Sequence, residues 1–274
     1  MSAEARVEVV RVRGGLHSSS DDVVAVESAL EVRVDGRTLA VLMRTPGDDR
    51  ALVAGFLLSE RLIRNSDDLA TIEHCADTTI PENDPRRNTV LVTLSASASH
   101  RALTMLDARR DIMASSACGV CGRATIDSLR ADLAPLTSDL QVSTAMLCGL
   151  PEQLRSRQAI FESTGGLHAS GLFAEDGTLL CIAEDVGRHN AVDKVIGASL
   201  LRDELPLSRR VLLVSGRTSF ELVQKAWCAG IPVVAAVSAP SSLAVSLATE
   251  AGITLVGFVR DGGLNIYAGA SRLV

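Results

Sequence analysis

Cys118 and Cys121 stand three positions apart in the run Cys118-Gly119-Val120-Cys121-Gly122. Two thiols at that spacing can share a proton, a metal ion or a sulfur atom. Gly119 and Gly122 reach backbone angles closed to β-branched residues, so the run reads as a tight exposed loop. Arg109 and Arg110 precede it and Arg123 follows it. Cations folded against the thiols favour thiolate, the nucleophilic form of cysteine.

The type of CxxC narrows by elimination. One such motif supplies at most two zinc ligands, and the chain has neither a second CxxC nor a pair of histidines at zinc-finger spacing. A structural zinc site needs His168, His189 or an isolated cysteine brought in by folding. A thioredoxin-type motif opens a helix directly after a strand, whereas this one follows the polar stretch Asp111 to Ala117. A zinc deaminase shows His-x-Glu and Pro-Cys-x-x-Cys; Ala117 stands where that proline belongs, and no His-x-Glu occurs. What remains is covalent sulfur chemistry, in which a thiolate accepts a sulfane sulfur as a persulfide and a second thiol shields it or helps release it.

A second set of residues points to an anion. Ser215-Gly216-Arg217-Thr218-Ser219 leaves an apolar strand and enters a helix, an arrangement that suits a phosphate. Arg260-Asp261-Gly262-Gly263 follows the last long strand, and Glu184-Asp185-Val186-Gly187-Arg188-His189-Asn190 follows a hairpin strand and opens a helix. Each alone reads equally well as capping and turn residues. Three such loops at candidate strand ends suggest one shared pocket. His168 and His189 are either hydrogen-bonded structural residues or groups poised near neutral pH.

The elements that must position these residues fall into two parts. Residues 1–137 show an α+β pattern. It begins with a hairpin, Leu30 to Val34 and Arg37 to Met43, turned by Asp35-Gly36. A helix is expected from Pro46-Gly47-Asp48-Asp49 through Ile63, then a strand from Asn88 to Ser95 and helices around Ala102 to Met113 and Ala124 to Leu133. Ser18-Ser19-Ser20-Asp21-Asp22 reads as a polar loop.

Residues 138–274 change rhythm. A helix is expected around Pro151 to Glu162, then a hairpin from Leu172 to Glu184 turned at Glu175-Asp176-Gly177. Helices at Asn190 to Leu201, Phe220 to Ala229 and Leu243 to Ala251 then alternate with strands at Arg210 to Ser215, Pro232 to Ser238 and Ile253 to Val259. The apolar runs Val211 to Val214 and Val233 to Val237 suit strands covered by helices on both faces, giving a three-layer α/β arrangement.

Composition bounds the rest. A chain of 274 residues that is 47% hydrophobic and 22% charged is globular and long enough for two modest cores. A net charge of −6 and an aromatic content of 3% argue against nucleic acid as a partner. No apolar run approaches the roughly 18 residues that span a bilayer, and Met1 to Val10 lacks an apolar signal core. The expectation is a soluble cytoplasmic protein with no membrane association. Cys75, Cys148, Cys181 and Cys228 are scattered singly among apolar neighbours and read as reduced core residues.

The motifs, taken in order, resemble the formate dehydrogenase accessory sulfurtransferases, the FdhD family. The resemblance rests on the CxxC run, on Thr164-Gly165-Gly166 with His168-Ala169, and on Glu184 to Asn190 with Asp193-Lys194. It continues through Ser215-Gly216-Arg217, Ser219-Phe220-Glu221, and the stretch from Ser238-Ala239-Pro240 to Leu255-Val256-Gly257-Phe258. Ala54 to Glu60 match more loosely. The resemblance implies that sulfur passes as a persulfide from a cysteine desulfurase to the molybdenum bis(molybdopterin guanine dinucleotide) cofactor of formate dehydrogenase. It implies that Cys118 bears the persulfide with Cys121 as its partner. It further implies that Phe258, Val259, Arg260, Asp261, Gly262 and Gly263 bind the cofactor as substrate, that the second part has a cytidine-deaminase-like fold without zinc ligands, and that the protein is a homodimer. A dinucleotide carries several phosphates, and Ser215 and Arg217 fit that requirement. The chain departs from the family pattern at Leu167 and at Gly263-Leu264-Asn265, which leaves Arg260 and Arg217 as the anion contacts. The competing reading is a noncatalytic metal- or cofactor-binding chaperone that uses the cysteines as ligands.

Overall fold

The computed structural model describes residues 2–75, 88–109 and 133–274. Cys118, Cys121 and nearly all of the helix expected at Ala124 to Leu133 lie outside them.

The chain opens with an antiparallel ribbon of β1 (Glu4–Arg13) and β2 (Leu16–Ala25), turned by Gly14-Gly15, both at positive φ. The polar run Ser18 to Asp22 is therefore strand rather than loop. Its serines lie opposite Val9, Val10 and Arg11 on a ribbon that is mostly exposed, with no residue fully buried. Strands β3 (Ser28–Val34) and β4 (Arg37–Arg44) form the expected hairpin. Asp35 and Gly36, at φ 48° and 79°, supply the two positive values of a type I′ turn.

Helix α1 (Asp49–Ser59) stops short of Ile63. Leu62 N donates to Leu57 O at 2.9 Å and Arg61 N to Leu58 O at 2.9 Å, with Arg61 at φ 62°. This left-handed closure satisfies the last carbonyls of the helix. Strands β5 (Leu69–His74) and β6 (Thr89–Leu94) complete a four-stranded sheet of order β4-β3-β6-β5, and α2 (Ala96–Arg109) follows.

The helix expected at Pro151 is two helices. α3 (Thr144–Arg155) starts seven residues before the proline and is capped by Ser143, whose hydroxyl accepts from Met146 N at 3.0 Å; α4 (Ala159–Thr164) is separate. A proline that commonly marks a first turn here sits in the helix interior. The remaining elements follow the expected alternation: β7 (His168–Ala174), β8 (Leu179–Asp185), α5 (Arg188–Leu200), β9 (Arg210–Val214), α6 (Phe220–Cys228), β10 (Val233–Ala236), α7 (Ser242–Glu250) and β11 (Thr254–Arg260). Like β1 and β5 in the first part, β12 (Gly263–Ala268) was not expected; it turns back antiparallel on β11. The six-stranded sheet has the order β12-β11-β10-β9-β7-β8, with β9, β10 and β11 parallel.

Alternate residues of the buried strands face different layers. Val211, Leu213, Val233 and Ala235 pack with Leu147, Leu150 and Leu154 of α3. Leu212, Val214, Val234 and Ala236 pack with residues of α5, α6 and α7 on the other face. Full burial of each such aliphatic side chain contributes about 1.5–3 kcal/mol. The second cluster runs on through Leu52, Val53 and Leu57 of α1 into Leu30, Val32, Val90 and Val92 of the smaller sheet, so α1 and α5 lie between the two sheets.

Their contact is close because it is built on glycine. A Cβ on Gly55 would lie 1.9 Å from the Asp193 carbonyl oxygen, and one on Gly197 would lie 1.8 Å from that of Ala51. Buried charges beside this seam are paired. Asp193 accepts from Lys225 Nζ at 2.8 and 2.7 Å and from Ser59 Oγ at 2.8 Å. Among the described residues, no helix is long and apolar enough to cross a membrane.

Candidate functional site

The topology of the large sheet sends several of the polar loops to one place. Strands β8, β9, β10 and β11 run in the same direction, and β7 is antiparallel to both its neighbours. The carboxyl ends of four strands and the start of β7 therefore share one edge. Asp185 to Asn190, Ser215 to Ser219, Ser238 to Pro240 and the beginning of the β11–β12 connection all open there, with His168 paired in register to Asp185.

Each loop is held by a specific bond. Ser215 latches β9 to β7: its hydroxyl accepts from Ala169 N at 2.9 Å, and its own N–H donates to Ala169 O at 2.9 Å. Gly216 lies against His168, where a Cβ would come within 3.3 Å of the imidazole Nδ1. Thr218 N donates to Ala239 O at 3.2 Å, and Phe258 N to Ser238 O at 3.2 Å. Through these contacts the ends of β9, β10 and β11 are stitched side by side. Arg217 and Arg260 are exposed, and the Arg260 guanidinium lies 5.3 Å from the centroid of the Phe258 ring.

The expected cofactor-binding stretch has three distinct roles in the fold. Phe258 is partly buried at φ 53°, in the irregular stretch of β11 between Gly257 and Arg260. Val259 is fully buried in the cluster around α3, so its side chain serves the core. Arg260 pairs with Gly263 across Asp261-Gly262, whose φ values of 52° and 74° make a tight hairpin turn. Asp261, Gly262 and Gly263 are exposed at that turn. The Asp-Gly signal for such a turn was present in the sequence, as at Asp35-Gly36.

The loop after β8 is anchored from the first part of the chain. Asp185 is fully buried, and its carboxylate accepts from Thr45 N at 3.2 Å, Gly187 N at 2.8 Å and Asn190 Nδ2 at 2.9 Å, with Lys194 Nζ at 2.8 Å. Lys194 Nζ also donates to Thr45 O at 3.0 Å. Sequence reading placed Asp185 and Lys194 only within matching motifs; their partner, Thr45, lies 140 residues away from Asp185.

The two histidines differ in surroundings. Burial pushes the His168 imidazole below its ordinary pKa, and the positive charges of Arg188, His189 and Arg217 push the same way, opposed by Asp185. His189 Nε2 lies 3.2 Å from Ser219 Oγ and 3.7 Å from Glu221 Oε2. That imidazole, with Ser219, holds the Glu221 carboxyl down to about 2 in spite of its burial. Sequence reading placed Glu221 only within the matching motif Ser219-Phe220-Glu221, with no role assigned to it.

Cys75, Cys148, Cys181 and Cys228 are all partly exposed rather than sealed in the core. Cys75 lines a cleft of about 860 Å³ with Arg44, Asp49 and His74. The charges there are matched. Arg44 grips Asp49 through two bonds of 2.7 and 2.9 Å, and His74 Nε2 lies 3.1 Å from the same carboxylate. Burial opposes ionisation of Asp49, but bonds from His74 and Arg44 hold its pKa below the usual value. Burial raises the Cys181 thiol above its ordinary pKa. Among the described residues, no three His, Cys, Asp or Glu side chains are grouped so as to hold a metal ion.

Comparison with known proteins agrees with this architecture. The crystal structure of a provisionally assigned formate dehydrogenase accessory protein from Desulfotalea psychrophila superimposes with a TM-score of 0.78, covering 100% of both chains at 24% identity. It shares the fold. A sulfur carrier protein FdhD of Streptomyces coelicolor is 49% identical over 271 residues, covering 98% of this chain and 95% of its own. One from Mycolicibacterium paratuberculosis is 48% identical over 276 residues, covering 100% of each, and one from Mycobacterium tuberculosis is 47% identical over 265 residues, covering 94% and 96%. The model of the FdhD/NarQ family matches residues 25–274, and the chain belongs to that family.

Proposed function

We propose that this protein is a sulfur carrier in the maturation of formate dehydrogenase, acting in the cytoplasm as a homodimer. The Cys118 thiolate attacks the terminal sulfur of a persulfide on a cysteine desulfurase. One S–S bond breaks as another forms, the donor leaves as thiolate, and no net oxidation occurs. Cys121 assists the later release of that sulfur. The acceptor is the molybdenum bis(molybdopterin guanine dinucleotide) cofactor, bound as substrate at the carboxyl edge of the large sheet, where Ser215, Arg217 and Phe258 to Gly263 take its phosphate-bearing part.

The observation that supports this reading best is the gathering of the β8, β9 and β11 loops, with Arg188, Arg217 and Arg260, at one sheet edge. A polyanionic ligand needs cations and free backbone N–H groups in such an arrangement, and the edge offers both.

The test is mass spectrometry of the intact chain after incubation with a cysteine desulfurase and cysteine. Wild type gains one sulfur atom at Cys118, and Cys118→Ala gains none and supports no formate dehydrogenase activity as the sole copy. An unchanged wild-type mass, together with metal bound at the cysteines, would establish the chaperone reading instead.

A further inference from the structure

The helices at the carboxyl edge begin differently from those elsewhere. Ser143 and Ser241 cap α3 and α7, accepting backbone N–H bonds at 3.0 and 3.2 Å. α5 starts after Gly187 with no side-chain cap. α6 starts after Ser219, whose hydroxyl meets His189 on α5 and the Glu221 carboxylate rather than capping a backbone N–H. At α6 the Glu221 carboxylate accepts from its own backbone N–H, whereas the N-cap of α5 supplies no side-chain acceptor, and the α5 dipole favours negative charge.

Two polar atoms beside these starts are buried with no partner among the described residues: Arg188 Nε and Thr218 Oγ1. Thr218 is only 1% exposed, so its hydroxyl has little access to water. An unmet buried polar group costs about 1–3 kcal/mol. Native structures satisfy most such groups with a protein, water or ligand partner.

The local charge is also unbalanced. Arg188, His189 and Arg217 all act on His168, and mutual repulsion opposes gathering them. The nearby carboxylates are already engaged: Asp185 by Lys194, Asn190, Gly187 and Thr45, and Glu221 by His189 and Ser219. Among the described residues, no ion pair joins Arg188 to an acidic side chain.

We propose that Arg188, His168 and His189, with the start of α5, form a diphosphate subsite. It is additional to the contacts assigned above to Ser215, Arg217 and the β11–β12 turn. From β8 to β11 is four strand spacings in the sheet order β11-β10-β9-β7-β8, roughly 19 Å at about 4.8 Å per strand. One diphosphate cannot touch both ends of that edge. A ligand carrying two diphosphates, or one diphosphate and a distant second anion, can. The proposal rests on the reading that this edge takes a phosphate-bearing ligand, and it specifies that the ligand is gripped at both ends.

The experiment follows the His168 imidazole C–H signal by NMR, identified by its loss in His168→Gln, with inorganic pyrophosphate and GDP as probes. In the free protein His168 titrates below the ordinary histidine value. Saturating pyrophosphate raises its pKa, because an anion beside the ring favours the imidazolium. Arg188→Gln weakens the pyrophosphate affinity reported by His168 at least tenfold, and Arg188→Lys restores part of it. Should Arg188→Gln melt early, His189→Gln carries the same test. A His168 signal that ignores pyrophosphate, or an unchanged midpoint in Arg188→Gln, overturns the subsite. If GDP then still binds, and binding is lost with Arg217→Ala and Arg260→Ala, the cofactor reading stands while the subsite falls. If pyrophosphate shifts His168 through Arg188 but GDP binds nowhere, the subsite stands while the cofactor reading falls.

Discussion

Two charged regions of this molecule, only a few residues apart along α5, are built on opposite terms. In the seam between α1 and α5, each buried charge described has a partner: Asp193 with Lys225, Asp185 with Lys194, and Arg44 with Asp49 on the far side of the β4–α1 connection. At the carboxyl edge, cations gather around His168, and Arg188 Nε and Thr218 Oγ1 lack partners among the described residues. Burying an ion costs several kcal/mol and is tolerated only when a counter-charge and hydrogen bonds offset it. The seam meets that condition internally, so its charges serve the fold. The edge does not, and its unpaired groups are the ones proposed above to meet a ligand. Charge balance, rather than the number of charged residues, separates structural from functional polar clusters here.

The comparison can be broken most directly in the seam. Asp193→Ala leaves Lys225 buried without its counter-ion and is expected to cost about 3–5 kcal/mol in urea unfolding. A loss under 1 kcal/mol would mean that the pair is not carrying the seam. Gly197→Ala, which drives a methyl into the Ala51 carbonyl, should cost about 3 kcal/mol, near the upper end for overpacking. Because the cluster is continuous from the smaller sheet to the larger, both variants should show one cooperative transition. Two separated transitions would show that residues 1–137 and 138–274 unfold independently.

At the edge the expected pattern reverses. Arg217→Ala and Arg260→Ala should each weaken guanine nucleotide binding ten- to a hundredfold by calorimetric titration, the loss of one charge-assisted bond worth about 1.5–3 kcal/mol. Stability should stay within about 0.5 kcal/mol of wild type, since both side chains are exposed. Unchanged affinity in the double variant places the ligand elsewhere.

The smallest effect concerns Glu221, which belongs partly to each region. Its folded pKa of about 2 lies below its ordinary value of 4.5. The stabilisation it contributes is therefore complete above about pH 4.5 and is lost as pH falls toward 2. Glu221→Gln should flatten that part of the stability–pH curve, lowering stability in the neutral range and converging with wild type near pH 2. A curve identical to wild type between pH 2 and 4.5 would remove Glu221 from the His189 cluster.

Much of the fold was legible because it is local. Asp35-Gly36 forces positive φ at two successive positions, and the apolar run Val211 to Val214 suits a strand covered on both faces. These signals depend on residues a few positions apart, so periodicity and turn chemistry locate them within a residue or two. Boundaries failed where a local cue had two meanings. Pro151 resembles a helix start but lies inside α3, and Ser18 to Asp22 resembles a loop but lies in a ribbon with no buried face. The CxxC chemistry was likewise local, though Cys118 and Cys121 lie outside the described residues.

What tertiary structure alone decided was which distant residues share a site. The parallel run of β9, β10 and β11, with β8 aligned beyond β7, brings loops from residues 185, 215, 238 and 260 to one edge. His189 meets Glu221 across 32 positions of chain, and Thr45 reaches Asp185 across 140. No spacing rule predicts such encounters, because they follow from how helices pack on sheets and not from the period of either. The sequence determined that a thiol pair and several phosphate-type loops exist; strand order and the glycine-lined seam determined that the loops meet. Charges separated along the chain have no balance to speak of until folding sets them within a few ångströms of one another, and only then can paired and unpaired clusters be told apart.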